Sequence, residues 1–195
     1  MMQQRAQAGT TGERRKNGTV DLVRWDWLAA ILAGVAFVVE GVIYLIEPGR
    51  LQEPVLLAGY ILVAIGLAGF HALQKDKAGR LGQAGFYLSV AGSVAAAVAV
   101  SGSLIAGLDL ELLHGVGFLL MIVGYLLYGT ATLRAKVLPR WYGVTFLLTW
   151  PLAIAAGEYT VFVVGVIWMA LGYALRWRVD ASPARQQTVS ELASS

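Results

Sequence analysis

The sequence predicts an all-α fold, a polytopic helical membrane protein built as a bundle of six transmembrane helices. Three observations predict it. Six apolar segments of about twenty residues each, the length that matches a hydrocarbon core of ~30 Å, alternate with short links rich in helix breakers. Hydrophobic residues make up 57% of the chain and charged residues only 14%, whereas soluble domains carry about 25% charge. The bases are segregated as well: of the 15 Lys and Arg residues, all but Arg50 fall on one side of the six-span arrangement.

Residues 1–23 mix Gln, Gly, Thr, Arg and Lys without periodicity and are expected to form a disordered cytoplasmic tail. This polar stretch is too long for a standard signal peptide, so the first span is expected to stay in place as an anchor. Trp25 and Trp27 follow, as amphipathic aromatics do at headgroup level. The transmembrane domain covers residues 24–176. Its apolar segments run over 27–46, 54–74, 81–106, 110–133, 138–157 and 159–176. They are separated by Glu47-Pro48-Gly49, by Asp76 to Gly79, by Gly107 to Asp109, by Pro139 and by Gly157-Glu158. Links this short make consecutive helices antiparallel neighbours. Pro151 lies in the fifth segment, so a re-entrant hairpin of the last two is an alternative to two full spans. Residues 177–195 turn polar again and are read as a second disordered cytoplasmic tail.

Charge sets the orientation. Arg5, Arg14, Arg15, Lys16 and Arg24 precede the first span, and Lys75, Lys77 and Arg80 surround the second link. Arg134, Lys136 and Arg140 surround the fourth link, and Arg176, Arg178 and Arg185 follow the sixth span. The opposite face has Arg50 alone, against Glu47, Glu53, Asp109, Glu111 and Glu158. The positive-inside rule then places both termini in the cytoplasm of a cell-membrane protein. Asn17-Gly18-Thr19 matches a glycosylation acceptor, but it falls on the cytoplasmic side in this reading.

Helices in lipid associate through close backbone approach and not through burial of apolar area. The third segment, with Ala84, Gly85, Ser89, Gly92, Ser93, Ala96 and Ala97, is therefore expected to be the most enclosed. Glycines seven residues apart recur in alternate segments: Gly59 and Gly66, Gly117 and Gly124, Gly165 and Gly172. Leu67, Tyr125 or Tyr173 follows each second glycine, a pattern open to a threefold hairpin repeat or to coincidence. The stretch from Gly117 through Leu133, continued by Leu138-Pro139-Arg140-Trp141-Tyr142-Gly143, resembles a segment of uncharacterised small bacterial multi-pass membrane proteins. That resemblance implies a membrane-embedded helical fold and transfers no activity and no functional residue.

Several chemistries find no support. The chain has no cysteine, so disulfides, thiolate metal sites and cysteine nucleophiles are absent. No basic stripe carries interleaved aromatics, which argues against nucleic acid as a partner. His71 and His114 fall at opposite ends of the bundle, so no single haem or zinc ion can use both. Glu111-Leu112-Leu113-His114 has the Glu-x-x-His spacing of di-iron bundles, but those need the pair twice. No cofactor and no metal is expected.

Glu40 is the exception in an otherwise apolar segment. At 1.5 Å per residue it sits roughly 10 Å inside the end marked by Glu47. An acid at that depth costs about 2.5 kcal/mol or more unless it is neutral, paired or facing water. Tyr44 lies one turn along the same face, and Tyr60, His114 and Trp150 lie at similar depth in other spans. Glu40, Tyr44, Tyr60, His114 and Trp150 are thus the candidate ligand-binding residues, and no catalytic set is identified. The reading that demands least is a non-enzymatic membrane protein acting by helix packing, with itself as a homo-oligomer or with a membrane-protein partner in the lipid bilayer. The alternative is a transporter or a small-ligand or proton-binding protein that uses the polar site around Glu40.

Overall fold

The structure, a computed structural model, describes residues 26–46 and 51–194, with side chains as far as Trp177. It is an all-helical bundle, without strands among the described residues. The helices are α1 (Asp26–Ile46), α2 (Gln52–Gln74), α3 (Gly79–Ala106), α4 (Glu111–Ala135), α5 (Arg140–Ala155) and α6 (Thr160–Ser194). A single 3-10 turn, Gly157–Tyr159, joins α5 to α6. The apolar parts of α1, α2, α3, α4 and α6 are long enough to cross a membrane. The tail expected over residues 1–23 lies outside the described residues. The backbone of α6 stays helical to Ser194, past its apolar segment.

α5 has 16 residues, about 24 Å at the helical rise, and is the shortest of the six. It nevertheless runs antiparallel along most of α4. Near its start, Gly143 meets Leu133 and Gly129, and near its end Trp150 meets Phe118 at 4.5 Å. Pro151 stays within the helix. α5 therefore packs along α4 as a member of the bundle.

Each helix buries a stripe at three- and four-residue spacing, the mark of one packed face. On α1 the stripe is Ala30, Ala33, Phe37 and Glu40, while Leu32, Val35, Val39 and Val42 face outward. Such outward aliphatic side chains recur on every helix and form an apolar belt that only lipid or a partner can cover. Neighbour contacts close the bundle into a ring, with α1 packed on both α2 and α6. The middle of the ring is aromatic. Phe146 of α5 takes edge contacts from Phe70 of α2 (5.6 Å), Tyr128 of α4 (5.2 Å) and Trp168 of α6 (6.5 Å).

α3 does not hold the enclosed position expected of it. Only 33% of its apolar window is buried, against 44% for α4, and Tyr87, Val94 and Val98 are exposed. Its small residues serve one contact, with α4. A side chain at Gly85 would meet the Tyr128 amide nitrogen at 2.5 Å, and one at Gly92 would meet that of Met121 at 2.7 Å. In the middle of α3 the hydroxyls turn onto their own helix, Ser89 to the Gly85 carbonyl (2.8 Å) and Ser93 to that of Ser89 (2.9 Å).

The seven-residue glycine spacing also resolves. Gly59 and Gly66 face α1, and Gly117 and Gly124 face α3, each the hairpin partner of its own helix. Gly165 and Gly172 break the repeat, because they face Gly34 and Ile31 of α1 and not α5. α1 thus receives glycines from two sides.

Candidate functional site at the acidic end of the bundle

Among the described residues with side chains, every base lies at one end of the bundle: Lys75, Lys77, Arg80, Arg134, Lys136, Arg140 and Arg176. The other end carries Glu53, Asp109, Glu111 and Glu158. Glu40 belongs to the acidic half, at the far end of the buried stripe of α1. It is 6% exposed, and its Oε2 has no hydrogen-bond partner. α6 closes one side of it. A side chain at the adjacent Gly41 would meet the Phe162 ring and the Val161 methyl group at 2.8 Å.

On the other side stands Tyr60 of α2. Its ring meets Phe37, one turn before Glu40 on the same buried stripe, edge-on at 5.9 Å. The same hydroxyl is 3.2 Å from Nε2 of His114, a hydrogen bond that joins α2 to α4. Phe37 on α1, Tyr60 on α2 and His114 on α4 form a run of edge contacts across three helices.

His114 also lines a cavity of about 470 Å³ between the ends of α2, α3 and α4. The α3–α4 link builds its floor. Gly107 adopts φ +62°, a left-handed conformation that glycine takes without strain. The Gly107 and Leu108 amides then donate to the Ser103 and Gly102 carbonyls, which ends α3 and reverses the chain. Asp109 Oδ1 accepts the Glu111 amide (3.2 Å) at the start of α4. Ser103 Oγ donates to Glu53 Oε1 (3.4 Å), linking α3 to α2. The cavity wall therefore carries three carboxylates, Glu53, Asp109 and Glu111, beside one imidazole. No described base stands at that end, and a concave wall of one sign concentrates cations.

The five sequence candidates separate as follows. Tyr60 and His114 are bonded, and Glu40 lies one turn from the Phe37 that packs on Tyr60. Trp150 is buried in the same half, against Phe118 and Tyr125 (5.8 Å), with its Nε1 unpartnered. Tyr44 lies on the outer surface of α1, 45% exposed. Sequence reasoning missed the cavity: it counted Glu53 and Asp109 only as loop charge and weighed Glu111 beside His114 only as a di-iron spacing. The signal available was the sequence Gly107-Leu108-Asp109-Leu110-Glu111, a glycine stop followed by a self-capping aspartate. His71 lies at the basic end, stacked on Phe86 at 4.2 Å, so the two histidines are well apart. No three described His, Asp or Glu residues cluster closely enough to hold a metal ion.

The chain matches no protein-family model, no curated protein and no solved structure.

Proposed function

We propose that this protein is a proton-binding membrane protein of the transporter class, with Glu40 as its proton-binding group. In this reading both termini are cytoplasmic and the acidic end faces outward, which the distribution of bases supports through the positive-inside rule. The observation that carries the proposal is the buried Glu40 carboxyl with an unpartnered Oε2, set beside the Tyr60–His114 bond. An ionised carboxylate without a partner is disfavoured at this depth, so the group is neutral at rest. A carboxyl that served only to tie helices together would bond a neighbouring hydroxyl or carbonyl. Among the described residues Glu40 Oε2 has no such bond, and the Tyr60 hydroxyl is bonded to His114 instead.

Infrared difference spectra of the protein in lipid nanodiscs, recorded across a pH series, test the reading. Parent minus Glu40→Gln should isolate one carboxylic C=O band that disappears as pH rises. Gln keeps the shape and hydrogen-bonding capacity but cannot ionise, so the variant should remain folded. A Glu40 band that stays constant throughout the folded range would return the protein to the packing class, with Glu40 a fixed neutral strut.

A further inference from the structure

Glu40 does not itself line the cavity, so a proton needs a route between the two. We propose that His114 and Tyr60 are that route, relaying protons between the acidic-end cavity and the Glu40 carboxyl. The inference rests on the proposed role of Glu40 and adds the path and the side of access.

Three observations converge on it. The hydrophobic side chains Phe37, Val161 and Phe162 pack around this part of α1 and offer no polar path. Tyr60 packs on Phe37, one turn before Glu40 on the same buried stripe of α1, and its hydrogen bond goes to His114 Nε2. His114 is in turn a wall residue of the cavity. Both side chains have the required chemistry. A hydroxyl donates and accepts at once, and an imidazole can take a proton on one nitrogen while releasing one from the other.

The step balances. A proton from cavity water binds Nδ1 of His114, giving the imidazolium. The Nε2–H bond breaks as an O–H bond forms at Tyr60, while the original Tyr60 proton leaves for the Glu40 carboxylate. Both relay groups end neutral, and one proton has moved from the cavity to Glu40. The charged groups that share the cavity wall with His114 are Glu53 from α2, and Asp109 and Glu111 from the α3–α4 link and the start of α4. α3 contributes Ser103, a neutral hydroxyl. Against this part of α1, α2 sets Tyr60 on Phe37, and α6 sets Val161 and Phe162 on Gly41.

Time-resolved infrared spectroscopy of the Glu40 band after a pH jump tests the route in nanodiscs. Tyr60→Phe keeps the ring that packs on Phe37 and removes only the hydroxyl. His114→Ala opens the cavity wall. Both variants should retain the Glu40 band at equilibrium, with its rate of appearance reduced about 100-fold, the scale of a positioned proton-transfer group. Imidazole added to the buffer should restore the rate in His114→Ala and not in Tyr60→Phe. An unchanged rate in either variant, or a slow His114→Ala rate that imidazole leaves slow, overturns the relay. Absence of a titrating Glu40 band in the parent instead overturns the proton-binding role itself, so the two failures are distinct.

Discussion

Gly85→Ala is the smallest change that should loosen this bundle. The added methyl would sit 2.5 Å from the Tyr128 amide nitrogen and 2.9 Å from both the Gly124 carbonyl oxygen and the Tyr128 Cα. All three are backbone atoms of α4, so no rotamer change can clear them. Non-bonded carbon contacts are optimal at about 3.5–4.0 Å, so α3 and α4 must part by roughly 1 Å. Overpacking of this kind costs about 1–3 kcal/mol, and an unyielding backbone wall puts the site at the upper end. Alanine's better helix propensity offsets about 1 kcal/mol of that. The net loss expected is about 2 kcal/mol, up to a 30-fold change in the folded-to-unfolded ratio. Gly115→Ala is the control, because nothing lies within 4 Å of its added methyl. Only propensity acts there, and that variant should match or exceed the parent. Reversible unfolding in mixed micelles, followed by the fluorescence of buried Trp150 and Trp168, measures both. The close-packing argument fails if Gly85→Ala unfolds with the parent, or if Gly115→Ala loses as much.

Two other expectations concern a buried bond and the orientation. Gln74 Nε2 donates to Thr132 Oγ1 at 3.1 Å, with both residues buried. Thr132→Val strands that amide and should destabilise by about 1–3 kcal/mol, whereas the double change with Gln74→Leu should recover most of the loss in the same unfolding assay. Single cysteines introduced into this cysteine-free chain report sidedness. In intact cells, those at exposed Lys77 and Lys136 should resist a membrane-impermeant thiol reagent, and those at exposed Asp109 and Glu158 should react. The reverse pattern would invert the orientation and with it the outward access of the cavity.

The helices were legible because each apolar run ends at a residue that stops a helix or carries charge. The segment read as 27–46 is the helix Asp26–Ile46, and the one read as 110–133 is Glu111–Ala135. Neighbour relations were harder, for a physical reason. A small side chain reports that something comes close, but not what comes close or from how many sides. α3 carries small residues on the face toward α4 and large apolar ones, such as Tyr87 and Val94, on the opposite face. That combination gives the closest pair in the bundle without giving the central helix. Likewise, glycines at equal spacing on α2 and α6 converge on α1, because the ring closes there. Closure is a property of all six helices, and no pairwise pattern contains it.

The site shows the same division between depth and direction. Helical rise gives depth directly from residue number, which is why Glu40, Tyr60 and His114 could be grouped before their faces were known. Tyr44 continues the period of Ala30, Ala33, Phe37 and Glu40, and on periodicity alone it belongs with them. It is exposed because burial also needs a neighbour at that height. α6 begins at Thr160, and its Phe162 is already level with Gly41. One turn farther along α1, Tyr44 has passed the start of α6 and finds no helix to cover it. The cavity acids were illegible for the opposite reason. A carboxylate in a link is ordinarily solvated, and its charge then carries no positional meaning. Here the Gly107 reversal and the Asp109 cap draw Asp109 and Glu111 over the same space that His114 lines. Link charges become a cation-attracting wall only through that local turn, which links the acidity of this end to the buried Glu40 carboxyl behind it.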